Sequence, residues 1–287
     1  MRIRFDLAYD GADFSGWARQ PGLRTVQGVL EGAVARVLGG EPRLVVAGRT
    51  DAGVHASGQV AHLDLDEIQH RRLDAGRGDV DQLARKITGV LGRSPDVVVH
   101  RTSIAPDGFD ARFSAVWRRY TYRVADEVTG YDPLERTRTT FVRARLDEQA
   151  MDAAARALIG LHDFAAYCKP REEATTIRTL LDYSWRRDET GTLVAHVRAD
   201  AFCHSMVRAL VGACVAVGQG RLAPDDLVRL RDEAVRTSAF PVLAAHGLTL
   251  AEVGYPAEDL LAARADQTRA RRELDGARPS ATHERTL

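Results

Sequence analysis

One order of strand-like and helix-like segments occurs twice in this chain, and that repeat constrains the fold more than any other feature. Residues Arg2–Asp10 alternate polar and apolar side chains, which is typical of a half-buried strand. An apolar stripe that begins at Val26 predicts a helix, and Thr25 can cap it. The next segments are two strands, a second helix and a further strand, over 44–47, 59–65, 80–91 and from 97 onward. The predicted order is therefore β-α-β-β-α-β.

The second half of the chain repeats this order. A strand is predicted over 116–124, and Asp147 can cap the helix that follows it. The remaining segments are two strands, an apolar helix, a shorter helix after Pro224 and a last strand, over 178–186, 193–198, 205–217, from 224 and over 248–253. Two split βαβ units in tandem predict an α+β protein with ferredoxin-like halves. Their mostly antiparallel sheets would be covered by helices, with an active-site cleft between the halves.

The predicted boundary between the halves lies near Pro106. It divides the chain into an N-terminal half, 1–105, and a C-terminal half, 106–256. Beyond Pro256 the chain is rich in Arg, Glu and Ala and also holds Pro and Ser, so 257–287 is expected to be a frayed helix or a disordered tail. The sequence assigns no role to the charged run 69–81.

Composition narrows the class of protein. Hydrophobic residues make up 45% of the chain, and 40 basic residues balance 40 acidic ones, so bulk charge selects no partner. No apolar run approaches the roughly 20 residues of a membrane helix, and no membrane partner is expected. The three cysteines, Cys168, Cys203 and Cys214, cannot all pair and form no CxxC spacing. They argue against a disulfide scaffold or a zinc knuckle, and they predict a reduced, cytoplasmic protein.

Basic and aromatic residues alternate between Ala111 and Ala125. This stretch contains no acidic residue, and it holds Arg112, Phe113, Trp117, Arg118, Arg119, Tyr120, Tyr122 and Arg123. Such a pattern can form a nucleic-acid surface. It equally fits a strand with one solvated face and one face in the core.

A glycine-rich loop over 48–58 reads Gly-Arg-Thr-Asp-Ala-Gly-Val-His-Ala-Ser-Gly. Its glycines permit unusual backbone conformations and let a bulky substrate come close. Asp51 is its one carboxylate and is expected to be ionised unless it is buried. The loop leads into a strand, whereas a phosphate-binding P-loop opens a helix and ends in Lys-Ser/Thr. Two other interpretations remain: a tight turn capped by Asp51, and a metal site that gathers Asp51, His55, His62 and Asp64.

The apolar helix after Phe202 carries one charged residue between Met206 and Val217, namely Arg208. A guanidinium inside an apolar helix must extend to water or meet a carboxylate, because an unpaired buried charge is costly. Asp51 is the candidate partner across the cleft. A side chain that reaches solvent is the alternative.

The stretch AGRTDAGVHASGQVAHLD, Ala47–Asp64, resembles the catalytic loop of the tRNA pseudouridine synthase A family. Further stretches of the chain carry the same resemblance and extend it from Arg2 to Pro256. They are Tyr9–Gly11, Gly16-Trp17, Arg24–Gly28, Phe109–Ala115, Arg118–Tyr122, Asp163-Phe164, Phe202–Arg208, Ala245–Leu248 and Gly254–Pro256. Two positions depart from the family pattern: Ala18 replaces a usual Gln, and Ser205 replaces a larger polar residue.

The resemblance implies a role for four residues. Asp51 would be the catalytic aspartate, and Arg49 would help to extrude the target base. Tyr120 would lie against the uracil, and Arg208 would be the basic partner of the aspartate. The implied activity is isomerisation of uridine to pseudouridine at positions 38, 39 and 40, in the anticodon stem-loop of tRNA. It would use base flipping and no cofactor or metal, and the protein would be a homodimer.

Two other classes of function remain open on the sequence. Tandem split βαβ folds also bind RNA through aromatic residues of the sheet, so a non-catalytic RNA-binding module is one alternative. Such a module would have no need of Asp51 in a glycine-rich cleft loop. The other alternative is a metal-dependent hydrolase that uses His55 and His62.

Overall fold

The structure is a computed structural model, and it describes residues 1–75, 79–92, 95–170 and 175–269. Over this part of the chain there are ten strands and seven α-helices. The strands are β1 (Arg2–Tyr9), β2 (Val45–Val46), β3 (His55–Asp64), β4 (Val97–Ile104), β5 (Trp117–Ala125), β6 (Thr140–Phe141), β7 (Gly160–Asp163), β8 (Ile177–Arg187), β9 (Leu193–Ala199) and β10 (Leu248–Gly254). The helices are α1 (Val26–Leu38), α2 (Glu67–Ala75), α3 (Val80–Leu91), α4 (Glu148–Arg156), α5 (Met206–Gly218), α6 (Pro224–Glu233) and α7 (Leu261–Arg269).

The strands form one sheet in the order β4-β1-β3-β10-β5-β9-β8-β7, while β2 pairs with β3 and β6 pairs with β5. The pairs are antiparallel except β10–β3 and β5–β6. The predicted class, α+β with a mostly antiparallel sheet, is confirmed. The strand β10 lies between β3, which precedes residue 106, and β5, which follows it.

The observed strands and helices follow the periodic patterns and capping residues of the sequence. Alternate residues of β1, from Ile3 to Tyr9, are buried, as the period of two requires. The Thr25 hydroxyl accepts a hydrogen bond from the Gly28 amide and caps α1. The Asp147 carboxylate caps α4 in the same way.

The glycine-rich loop is shorter than the sequence predicts, because β3 already begins at His55. Gly58 therefore lies inside a strand. A Cβ atom at Gly58 would collide with the carbonyl of Ala251 on β10. This glycine lets two strands approach each other, and the turn itself is confined to residues before His55.

Residues 257–269 differ from the frayed or disordered tail expected from residue 257 onward. A short 3₁₀ turn leads into α7, whose Leu261 and Ala265 are buried. The Ser114 hydroxyl donates to the Leu261 carbonyl at 3.1 Å. Burial of apolar side chains fixes this segment against the chain that follows Pro106. The rest of the expected tail, 270–287, lies outside the described residues.

The charged run 69–81 falls largely on α2 and the start of α3. Gln69, in this run, is buried. Its side-chain oxygen accepts a hydrogen bond from the Asp66 amide, and its own backbone amide donates to the Asp66 carboxylate, just before α2. Residues 76–78 of this run lie outside the described part of the chain. Among the described helices, none combines the length and the apolarity that a bilayer crossing requires.

Candidate active site

Asp51 lies in the turn between β2 and β3, and its neighbours fix the backbone there. The buried hydroxyl of Thr50 is 2.8 Å from the Tyr9 hydroxyl. The carbonyl of Thr50 accepts a hydrogen bond from the Trp17 amide at 3.0 Å. Gly53 has a φ of 76°, a conformation that favours glycine. The turn is thus held by the core on one side, while 40% of the Asp51 side chain stays exposed.

The start of α5 faces this carboxylate from across the site. Nη1 of Arg208 lies 3.9 Å from Oδ2 of Asp51. Nε2 of His204 lies 3.7 Å from Oδ1. Between the two residues, Ser205 adopts a left-handed backbone with a φ of 63°. One carboxylate therefore has a basic side chain beside each of its oxygens.

The sequence leaves two possibilities for Arg208, a contact with Asp51 or a side chain that reaches solvent, and the structure shows both in part. Its Nε donates to the carbonyl of Leu243 at 2.6 Å, which anchors the guanidinium near the helix. Its Nη1 extends toward Asp51, and 22% of the side chain is exposed. The structure thus brings Arg208 and Asp51 together, at a distance of charge attraction and without a forked hydrogen bond.

Tyr120 lies on β5 and is nearly buried, at 8% exposure. Its ring meets the ring of Phe202 edge-on, with centroids 5.1 Å apart. Burial raises the pKa of Tyr120 well above its usual value, and the charges of Tyr9 and Asp51 raise it further. Tyr120 is therefore a neutral phenol, close enough to Asp51 to be affected by the charge of that carboxylate.

Arg49, the fourth predicted residue, is exposed at the rim of the site. Among the described residues, none forms a hydrogen bond or an ion pair with its side chain. Its guanidinium is thus available to an external anion or base.

The alternation of β5 explains the basic and aromatic stretch that the sequence singles out. Arg119 pairs with Glu252 at 2.7 Å, and Arg123 pairs with Asp188 at 2.9 Å. These acids come from distant segments, which is why the local sequence shows none. These two arginines are thus paired with acids of the chain, and the alternating burial of β5 confirms a strand with one face in the core.

Arg118 is a structural residue that sequence reasoning missed. It is buried, and its guanidinium donates to the carbonyls of Asp200, Ala47 and Arg112 at 2.8–2.9 Å. Ala47 precedes the Asp51 turn, and Asp200 precedes the segment that leads into α5. One side chain therefore ties together the two segments that form the site.

The two histidines of the metal interpretation contact backbone groups, and Nδ1 of His55 also lies 3.0 Å from the Asp10 carboxylate. Nδ1 of His55 accepts from the Gly11 amide at 3.0 Å, and Nε2 lies 2.8 Å from the Thr137 carbonyl. Nδ1 of His62 accepts from the Ala111 amide at 3.0 Å. Over the described residues, no three His, Cys, Asp or Glu side chains are grouped as metal ligands would be. Both histidines act as supports for the fold.

The cysteines differ from the sequence expectation of reduced thiols. Cys168 and Cys203 form a disulfide with their Cα atoms 5.8 Å apart, within the range for such bonds. Cys214 is free and buried. Because the two bonded cysteines lie 35 residues apart and in no motif, their spacing does not predict the pair.

Comparison with known proteins identifies the class of this fold and site. A family profile described as tRNA pseudouridine synthase matches residues 154–256. A tRNA pseudouridine synthase A of Leifsonia xyli subsp. xyli is 60% identical over 282 residues, which cover 95% of this chain and 98% of the relative. The proteins of that name in Streptomyces avermitilis and Corynebacterium glutamicum are 51% and 47% identical; the alignments cover 96% and 98% of this chain, and the same shares of those relatives. The chain belongs to the tRNA pseudouridine synthase A family.

Proposed function

We propose that this protein isomerises uridine to pseudouridine in tRNA, with Asp51 as the catalytic carboxylate. The observation that carries the proposal is the placement of Asp51. Its carboxylate is open to solvent, faces two basic side chains and lies beside a buried tyrosine. Relatives at 47–60% identity bear the name tRNA pseudouridine synthase A.

The reaction needs few groups because it is an isomerisation. The N1–C1′ bond of the uridine breaks, the uracil turns, and C5 bonds to C1′, while C5 loses a proton and N1 gains one. Since no atom enters or leaves overall, the chemistry requires no cofactor or metal. A glycosidase needs two carboxylates to activate water, whereas here the leaving uracil stays bound and one carboxylate suffices. Asp51 would attack C1′ or take the 2′ proton.

The other residues of the site would bind and orient the nucleotide. A uridine in a stem must be flipped out of the stack before any group can reach C1′. Arg49, exposed at the rim, would help to extrude the base, and Tyr120 would lie against the uracil. Arg208 would keep the Asp51 carboxylate ionised and oriented.

Strand order supports the tandem arrangement of two ferredoxin-like halves, 1–105 and 106–256. The first half contributes the neighbours β4-β1-β3-β2, and the second contributes β10-β5-β9-β8. When the short strands β6 and β7 are left aside and the other strands are numbered within each half, both orders are 4-1-3-2. The active-site cleft would lie where the halves meet, because Asp51 comes from the first half and Arg208 from the second.

The proposed substrate region is the anticodon arm, at positions 38, 39 and 40, and the proposed location is the cytoplasm, where tRNA acts. We also propose a homodimer, in which one subunit binds the anticodon arm and its partner contacts the body of the same tRNA. Sedimentation at micromolar concentration should give a dimer. A monomer alone would remove this part of the proposal.

The decisive experiment incubates the purified protein with an unmodified tRNA transcript, without additives, and maps pseudouridine. Conversion is expected at positions 38–40. Asp51→Asn should make no pseudouridine yet bind tRNA nearly as tightly, because arginine contacts to phosphates supply most of the affinity. Binding without conversion by the wild-type protein would favour the RNA-binding module. Wild-type rates in Asp51→Asn would refute the role of Asp51.

A further inference from the structure

His204 contacts the proposed catalytic carboxylate, and nothing in the proposed reaction accounts for it. Its Nε2 lies 3.7 Å from Oδ1 of Asp51, while Arg208 faces the other oxygen at 3.9 Å. Both distances exceed that of a hydrogen bond. The contact between His204 and Asp51 therefore acts through charge, and it exists as an attraction when the imidazole is protonated.

The backbone around His204 is fixed from several directions. The carbonyl of His204 accepts a hydrogen bond from the Lys169 amide at 3.0 Å. The preceding residue, Cys203, is bonded to Cys168. The following residue, Ser205, holds the left-handed conformation that begins α5. This turn directs the imidazole to Asp51, although 40% of the side chain is exposed.

We infer that His204 is a positioning residue for Asp51, and that its protonated form holds the carboxylate ionised and oriented when the solution is mildly acidic. The inference rests on the proposed function. The site then has two basic contacts from this region, Arg208 on α5 and His204 just before it.

The other basic and phenolic groups near His204 do not change charge near neutrality. Arg208 keeps its charge throughout, since a guanidinium does not lose its proton in proteins. Lys169 contacts His204 through its backbone, and its side chain is exposed. Burial raises the pKa of Tyr120 and keeps that phenol neutral. Among the described residues placed at Asp51, His204 is thus the side chain of the type that changes charge between pH 5 and 8.

The sign of the effect follows from the charge. A cation beside a carboxylate favours its ionised form, so it lets the carboxylate work at lower pH. Without the imidazole, the Asp51 carboxylate loses this attraction in acidic solution, where a histidine side chain carries its charge. The loss should therefore be confined to acidic solution, whereas a purely structural role would reduce activity equally at every pH.

The test measures kcat/KM for a tRNA transcript between pH 4.5 and 9 in the wild type and in His204→Gln. We expect the two proteins to agree within about twofold above pH 8. Below pH 6 the variant should lose up to about fivefold relative to the wild type, because it lacks the cation that attracts the exposed carboxylate there.

Two further variants control the comparison. His204→Lys keeps a cation that does not titrate in this range, so it should retain the wild-type acidic limb. His100→Gln removes an exposed histidine of β4 and should change nothing. Melting curves of all variants at pH 5 and 8 check that each is folded.

Each outcome decides the inference. The inference is overturned if His204→Gln loses activity equally at every pH, or loses none at any pH. In either case, activity of the wild-type protein leaves the proposed function in place. Failure of His204→Lys to restore the acidic limb also overturns it. A wild-type protein that makes no pseudouridine overturns the proposed function, and this inference with it.

Discussion

At the scale of single residues, the site depends on side chains whose backbones are held by neighbours. The Asp51 carboxylate is half open to water, but Thr50 beside it is buried and bonded to Tyr9. A flexible loop would let the carboxylate move and would forfeit much of the rate that orientation supplies. The backbone of the turn is therefore held in place, while the side chain that we propose as catalytic stays open to solvent.

Arg208 is the residue whose replacement best tests the electrostatics of this site. Arg208→Met preserves the apolar stem and the helix but removes the charge near Asp51 and the bond to the Leu243 carbonyl. We expect kcat/KM at pH 8 to fall at least tenfold, because the carboxylate loses its orienting partner. Arg208→Lys keeps the charge but not the Nε donor, and it should give an intermediate loss.

The control for Arg208 is stability. The Leu243 carbonyl lies at a partly exposed position, so water can replace the lost donor and the cost should stay near 1 kcal/mol. The melting temperature should therefore drop by only about 2–4 °C. Wild-type pH–rate profiles in both variants would show that the guanidinium does not serve the carboxylate.

Sequence reasoning found Arg208 but missed His204, and the difference has a physical cause. A lone charge in an apolar helix must reach water or meet a carboxylate, and this requirement made Asp51 the candidate partner of Arg208. His204 lies four residues before Arg208, a spacing that puts two side chains on one face of a continuous helix. The helix begins only after the left-handed Ser205, so regular helical geometry does not predict where His204 points. Only the folded turn brings it to the carboxylate.

At the scale of elements, periodicity predicted which segments are strands and helices but not how the strands pair. The alternation of β5 and β10 identifies both as strands. Their register, with Thr249 opposite Thr121 and Leu250 opposite Tyr120, depends on contacts between distant parts of the chain. The parallel contact of β10 with β3 needs Gly58 to admit the Ala251 backbone. Gly58, which the sequence places in a loop, is thus needed for the packing of β3 against β10.

The disulfide that precedes α5 makes a prediction at the same scale. Without reductant, the denatured protein should expose one reactive thiol, Cys214, and reduction should raise the number to three. Cys203→Ser should expose two thiols in either condition. Closing a loop of this length stabilises a protein by about 3–4 kcal/mol, so reduction should lower the melting temperature. Three thiols in the unreduced protein would exclude the bond.

At the scale of the whole molecule, the segment after Pro106 joins the two sides of the sheet and is clamped from several directions. His62 of β3 accepts a hydrogen bond from the Ala111 amide, and the Tyr255 hydroxyl donates to the Ala111 carbonyl at 2.7 Å. Helix α7 packs on the same segment, where the Ser114 hydroxyl donates to the carbonyl of Leu261 on α7. The composition of 257–269 suggested a tail because α7 has few apolar residues, yet two of them are buried.

Truncation tests the role of α7. A chain that ends at Arg269 keeps every contact described for this helix and should melt like the full protein. A chain that ends at Pro256 loses the burial of Leu261, which alone is worth about 1.5–3 kcal/mol. At 2–4 °C for each kcal/mol, its melting temperature should fall by about 3–12 °C. Equal melting temperatures for the two chains would show that α7 adds nothing to the fold.

Two adjacent leucines separate the packing of α7 from the mere presence of the segment. Leu261 is 2% exposed, and its neighbour Leu260 is 52% exposed. Leu261→Ala should cost about 2–5 kcal/mol, because it removes buried methyl groups and leaves a cavity. Leu260→Ala should change stability by less than about 0.5 kcal/mol. Urea unfolding of both variants measures the difference directly. If the two substitutions cost the same, α7 does not dock against the segment that joins the two sides of the sheet, and the geometry of the Asp51 site cannot depend on it.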